Sequence, residues 1–250
     1  MGRRWLDQFK SWLEAVLGLF YPEVCQQCGL ERATAADGFI GAQCRQEVKF
    51  IVPPYCQRCG LPYSGPSNIQ FQCSNCRQMD LHFSYARAAV AAQGLVLELI
   101  HRYKYRQALW CEPFLAGLLI QQAAPVLRQE SWDMIVPVPL HPRRQAERQF
   151  NQAERLARRL GAAVGLPVCT RLLRRTRVTR TQTQLDRRQR QQNVHGAFGL
   201  VPGADPTGRR IVLVDDVLTT GATTNACARV LVRAGARKVC VWTVARGLLP

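Results

Sequence analysis

Two adjacent carboxylates, Asp215 and Asp216, end an apolar run and lead into a hydroxyl- and glycine-rich turn, in Ile211-Val-Leu-Val-Asp-Asp-Val-Leu-Thr-Thr-Gly-Ala-Thr223. These residue types suit a phosphate beside a sugar. Thr219, Thr220 and Thr223 offer hydroxyl donors, and Gly221 admits a phosphate close to the backbone because it has no Cβ. Ala222 completes the turn, and the helix expected from Thr224 to Ala234 would point unpaired N–H groups at the same anion. Beside a phosphate the two carboxylates would repel it. They are better suited to accept hydrogen bonds from a ribose diol or to position a hydrated magnesium ion.

The cysteines form a second constellation. Of 11, seven lie before residue 77. Cys56-Gln-Arg-Cys59 and Cys73-Ser-Asn-Cys76 are two Cys-x-x-Cys knuckles with 13 residues between them, the arrangement that places four thiolates tetrahedrally around one structural zinc ion. Disulfides or free thiols are the competing readings. An earlier set, Cys25, Cys28 and Cys44, repeats the pattern with one ligand missing, since Gly41 stands where the fourth cysteine would be. Three thiolates with a borrowed ligand, or a metal-free ribbon, are both open there. Cys111, Cys169, Cys227 and Cys240 stand singly among apolar or helical residues and read as small core side chains.

Positioning these groups requires a layered fold. Ile211 to Val214 is short, β-branched and apolar on both faces, as in a strand buried within a parallel sheet. Strands are expected at 83–92, 132–138 and 238–245, and helices at 94–105, 108–127, 147–160 and 224–234. A polar, loop-like stretch runs from 170 to 192. Alternating strands and helices predict an α/β parallel sheet flanked by helices, whose ligands bind beyond the carboxyl ends of the strands. That rule places Val138 to Arg144 on the same rim as Asp215 to Thr223. The expected domains are an amphipathic helix over 1–20, a double zinc ribbon over 21–80 and an α/β domain over 83–250. The first helix carries Trp5, Leu6, Phe9, Trp12, Leu13, Val16, Leu17 and Phe20 on one face, suited to packing on the body or to docking on a membrane surface or partner.

Charge divides the chain at the same boundary. Residues 1–82 hold 8 Lys or Arg against 7 Asp or Glu, whereas 83–250 hold 26 against 10. Within 141–193 there are 14 arginines and three acids. Arg155, Arg158 and Arg159 read partly as a solvated helix face; the rest either meet an anionic partner such as nucleic acid or reflect an arginine-biased composition. No run reaches the roughly 18 apolar residues of a membrane helix, and the N-terminus does not read as a signal peptide. His82, His101, His141 and His195 are isolated and read as hydrogen-bonding or surface residues, so no general base is evident.

The 211–223 segment resembles the 5-phosphoribosyl-1-pyrophosphate (PRPP) motif of type I phosphoribosyltransferases. Ile135-Val-Pro-Val-Pro-Leu140 with Arg143, Arg144 and Arg148-Gln-Phe-Asn-Gln152, the segment Thr179-Arg-Thr-Gln182 with Leu185, Arg190, Asn193 and Ala197-Phe198, and Ile100-His-Arg-Tyr-Lys104-Tyr105 are similar to the ComF family, which joins a double zinc ribbon to that domain. Gln149 departs from the family's glycine. The resemblance implies a cytoplasmic protein in which Asp215 and Asp216 hold ribose and hydrated magnesium and Thr219 to Thr223 hold the 5-phosphate. Arg143, Arg144 and Arg148 would meet the pyrophosphate. Lys104 would join them or serve as a helix-end dipole partner, Asn151 and Gln152 would contact the ligand or cap a helix, and 179–182 would close over the site. The implied function is phosphoribosyl transfer to an unknown acceptor. The alternative is a nucleic-acid-binding role in DNA uptake, with single-stranded DNA or a competence-machinery protein as partner and the fold serving as ligand sensor or scaffold. In either case the ribbon could be a structural cap.

Overall fold

The computed structural model describes residues 23–65, 71–177, 189 and 193–248. The helix expected over 1–20 and the segment 179–182, with Leu185 and Arg190, lie outside them. Six strands and seven α-helices are assigned within this range: α1 Ala42–Gln46, α2 Ser74–Arg77, β1 Ala86–Ala91, α3 Gly94–Tyr105, α4 Glu112–Gln129, β2 Met134–Pro137, α5 Pro142–Arg148, α6 Gln152–Val164, β3 Leu173–Arg175, β4 Phe198–Leu200, β5 Arg210–Leu218, α7 Ala222–Arg233 and β6 Lys238–Arg246.

Four strands make an all-parallel sheet in the order β1-β6-β5-β2. Its central strands bury side chains on both sides, as the apolar 211–214 run requires. Ile211 and Leu213 pack with Cys227 and Leu231 of α7 on one face, while Val212 and Val214 pack with Leu119 of α4 and Leu156 and Leu160 of α6 on the other. Cys111, Cys227 and Cys240 are fully buried in these layers, and Cys169 is half-buried.

Both edges are covered. Ile51 N–H donates to Ala89 O at 3.0 Å and Ala91 N–H to Lys49 O at 2.8 Å, so the cysteine-rich segment adds an antiparallel rung to β1. At the other edge, Ile135 bonds through its N–H to Pro167 O and through its carbonyl to Cys169 N–H, both at 2.9 Å. Unpaired edge amides would otherwise invite a foreign strand.

Three elements differ from expectation. The motif strand runs on through both aspartates to Leu218, because β6 pairs with it as far as Arg246. The helix expected over 147–160 is two helices, α5 and α6. Between them Gln149 takes a left-handed backbone, φ 65°, and Asn151 Oδ1 accepts from Ala153 N–H to cap α6. A positive φ explains the family's glycine at 149; glutamine adopts it here at a cost in strain. The polar stretch 170–192 contains β3, which pairs antiparallel with β4. Among the described residues no helix is long and apolar enough to cross a membrane.

Glu112, buried at the start of α4, locks three helices together. Its carboxylate accepts from Arg155 and, at 3.0 Å, from Arg159 of α6, and from the Tyr103 hydroxyl of α3 at 3.1 Å. Burial alone would raise the Glu112 carboxyl, but the hydrogen bonds from Arg155 and Arg159 outweigh it and hold the group below the usual 4.5. Glu112→Gln is expected to cost about 2 kcal/mol in urea unfolding at neutral pH, less than for a fully enclosed ion pair because both arginines reach water. A depressed carboxyl contributes stability above its unfolded value and loses it as pH falls through its folded value. The gap between wild type and variant should therefore be full at neutral pH and close in acid.

Candidate functional site

The turn after β5 is built around one backbone requirement. Gly221 caps α7 in a left-handed conformation, φ 82°, which glycine adopts without strain. The Thr220 hydroxyl accepts from Ala222 N–H at 3.3 Å, and the Thr224 hydroxyl donates to Gly221 O at 3.1 Å. These bonds fix the first turn of the helix. Thr219, Gly221, Ala222 and Thr223 line a cleft of about 290 Å³ at the carboxyl rim of the sheet. Thr220 does not line it; the residue is buried, and its carbonyl accepts from Asn75 of the cysteine-rich segment.

Both aspartates reach the cleft, each with a different environment. Lys104 Nζ lies 2.8 Å from Asp216 Oδ2, with both side chains largely buried. Lys104 therefore belongs to the site as the counter-ion of Asp216. Burial, then the neighbouring Asp216, pushes the Asp215 carboxyl up to about 7. Asp216 Oδ2, although paired by charge, accepts no aligned hydrogen bond among the described residues. Two adjacent carboxylates lining one cleft are a donor set that would fit a hydrated magnesium ion, whose waters are donors.

The opposite wall is basic. Arg144 and Arg148 line the cleft from α5, brought there because Val138 N–H bonds to Val214 O at 2.9 Å and sets the two strand ends side by side. Arg148 is steadied by Gln152 Oε1 at 3.3 Å and by the Tyr105 ring 5.0 Å away. Arg143 departs from expectation. It is not among the lining residues, its side chain is 74% exposed, and it pairs with Glu147 one helical turn on. Asn151 caps α6 and donates to Val138 O at 3.1 Å, so it shapes the loop, whereas Gln152 lines the cleft.

Arg175 is the site residue that sequence reading missed. It sits on β3, with Leu173 buried before it and Arg174 exposed between them, so strand alternation turns it toward the cleft. Burial and the nearby Arg144 and Arg148 lower its guanidinium from the usual value, while Asp215 opposes the shift. The 170–192 stretch carries no run long enough to announce a strand, so its alternation was not legible. Leu97, Ile100, His101 and Leu140 add an apolar and aromatic side to the cleft.

Behind the turn lies the second cysteine cluster. Cys56, Cys59, Cys73 and Cys76 are all buried, with sulfurs 3.8 Å apart for Cys56–Cys76 and 3.6 Å for Cys59–Cys73. A zinc–sulfur distance of about 2.3 Å gives a tetrahedral edge of about 3.8 Å, and a disulfide would need about 2.05 Å. The donor set fits structural zinc. Cys25 and Cys44 are buried with sulfurs 3.7 Å apart, and Cys28 is exposed nearby.

This cluster is joined directly to the turn after β5. Arg246, fully buried at the end of β6, places Nη1 on the carbonyls of Leu218 at 2.9 Å, Gly247 at 2.7 Å and Thr219. The same guanidinium donates through Nε to Cys59 O at 3.3 Å and through Nη2 to Cys59 Sγ at 3.6 Å. Asn75, between the knuckle cysteines, donates to Thr220 O at 2.9 Å. Neither residue carried a signal in the sequence, since an arginine ending a strand and an asparagine in a loop ordinarily face water.

Residues 16–78 match the double zinc ribbon domain family and residues 150–248 the phosphoribosyl transferase domain family. Competence protein F of Haemophilus influenzae is 30% identical over 236 residues, covering 91% of this chain and 98% of that protein. DNA utilization protein YhgH of Salmonella typhimurium is 33% identical over 233 residues, covering 92% and 100%. Competence protein ComFC of Bacillus subtilis is 26% identical over 199 residues, 77% of each. With these relatives matched along most of their length, and with a cysteine ribbon preceding a parallel sheet, the chain belongs to the ComF family of double-zinc-ribbon, phosphoribosyltransferase-domain proteins.

Proposed function

We propose that this protein binds magnesium-complexed PRPP in the cleft between α3, α5, β3 and α7 and transfers the phosphoribosyl group to an acceptor. The observation that carries the reading is the arrangement of charge around one cleft. Asp215 and Asp216 stand beside a glycine-led helix N-terminus, with Arg144, Arg148 and Arg175 lining the same cleft. Thr219, Thr223 and the amides around Gly221 would hold the 5-phosphate; the aspartates would accept from the ribose hydroxyls and hold magnesium. Magnesium, when bound, would neutralise part of the pyrophosphate charge. Transfer breaks the bond between the ribose anomeric carbon and the pyrophosphate oxygen, which leaves with the electron pair, and an acceptor lone pair forms the new bond. Arg144, Arg148 and Arg175 would stabilise the departing charge, while Lys104 stays paired with Asp216. Leu97, Ile100 and Leu140 would exclude water, and they suit a flat, partly apolar acceptor. Thiolate ligands favour a reducing compartment, which supports a cytoplasmic location.

Arg246 and Asn75 would act as positioning residues. By fixing the carbonyls of 218–220 on the ribbon side, they keep those oxygens from turning toward a bound phosphate.

Exposed Arg171, Arg174 and Arg177 beside β3 support a second reading, binding of single-stranded DNA along that face, as do the relatives named for competence and DNA utilization. The observations favour it less strongly. Arg155 and Arg159 are engaged by Glu112, Arg158 by Glu154 and Arg143 by Glu147, which removes four arginines from the excess. A competence-machinery protein could occupy the same face.

Titration calorimetry of the zinc-replete chain with PRPP and magnesium should show 1:1 binding, weakened more than about tenfold in Asp216→Asn and in Arg175→Ala, since each removes a charge-assisted contact. A folded, zinc-loaded wild type that gives no heat would sink the proposal. Asn75→Ala leaves a buried carbonyl unpaired, worth about 1–3 kcal/mol. It should weaken PRPP binding several-fold with zinc content unchanged; equal affinity would remove Asn75 from the site's support. If the DNA reading holds, single-stranded DNA affinity should fall with salt and with the triple substitution of Arg171, Arg174 and Arg177 to Ala, and indifference to both would rule it out.

A further inference from the structure

The first cysteine set lacks its fourth thiolate because residue 41 is glycine, and the space where that side chain would begin is filled. A Cβ built on Gly41 would fall 2.0 Å from Glu31 Cδ, 2.2 Å from Cγ and 2.3 Å from Oε1. Glu31 thus occupies the volume of the missing ligand. Its carboxylate is aimed at the sulfurs: the donor atoms of Cys25, Cys28, Glu31 and Cys44 all lie within 4.8 Å of one another, with Cys28 Sγ 3.9 Å from Glu31 Oε1. Gln43 N–H donates to Oε2 at 3.0 Å and Cys44 N–H to Oε1 at 3.2 Å, so the knuckle's own backbone orients the group.

Comparison of the two ribbons shows where the glutamate comes from. Gly29 N–H bonds to Cys25 O and Gly60 N–H to Cys56 O, both at 2.8 Å. Cys25 N–H bonds to Glu31 O and Cys56 N–H to Leu61 O, again both at 2.8 Å. Glu31 therefore holds the hairpin position that Leu61 holds in the intact ribbon, with one residue more in its loop. We propose that Glu31 is the fourth ligand of the first ribbon, making a Cys25, Cys28, Cys44, Glu31 zinc site in place of a four-cysteine one. Zinc also accepts carboxylate oxygen, at about 2.0–2.2 Å, and either set gives the same net charge. The proposal is independent of PRPP.

Elemental analysis of the full chain after dialysis should find two zinc ions in wild type. In Glu31→Ala one ion should bind more than about tenfold more weakly. Cobalt substitution reads the donors directly, and wild type should show the mixed spectrum of one four-sulfur and one three-sulfur, one-oxygen centre. Glu31→Ala could loosen the knuckle by itself, so Glu31→Cys and the exchange Glu31→Ala/Gly41→Cys serve as second variants. Both should hold two ions and gain thiolate charge-transfer intensity. A wild type that holds one ion, a Glu31→Ala variant with unchanged affinity, or a Glu31→Cys variant with an unchanged cobalt spectrum would overturn the assignment.

Discussion

A guanidinium with no access to water must satisfy its donors internally, and the way Arg246 does so ties the two halves of this protein together. Among the described residues no carboxylate pairs with it. Its acceptors are the carbonyls of Leu218, Thr219 and Gly247 and the carbonyl and sulfur of Cys59. Removing any of them would leave a buried charge underpaired, which is costlier than losing a surface ion pair. A zinc ion on four thiolates would carry net negative charge and would help to accommodate Arg246. The ribbon is thereby part of the wall behind the site as well as the cover of the β1 edge.

Within the cleft, the charged groups are carried by different elements. The aspartates ride on a central strand, and the arginines come from α5 and β3. Lys104, from α3, moderates the acidic side without cancelling it. A ligand carrying both hydroxyls and phosphates would suit the arrangement, since the cleft offers acceptors and cations together.

The arginine excess has no single destination. Some arginines build the interior, as in the Glu112 cluster, some line the cleft, and some remain on the surface near β3. Net charge alone therefore overstated the basic area available to a nucleic acid, because it counts a guanidinium the same whether it is paired or free.

Local chemistry made much of this legible from the chain alone. The apolar run before Asp215, the Thr-Thr-Gly turn and the paired Cys-x-x-Cys knuckles each depend on neighbours within a few residues, so spacing sufficed to identify a parallel sheet, a glycine-led turn into a helix and a zinc ribbon. The sheet's rim rule also brought Arg144 and Arg148 to the aspartates. What the chain could not reveal were contacts between residues far apart in it: Arg175 beside Asp215, Asn75 on Thr220, Arg246 on Cys59 and Glu31 in the space of residue 41. Each depends on which way a side chain turns once strands pair and helices pack. Residue order determined the ligand-binding elements, and tertiary packing decided which charges face the cleft, because burial forces every polar group to find a partner wherever the fold brings one.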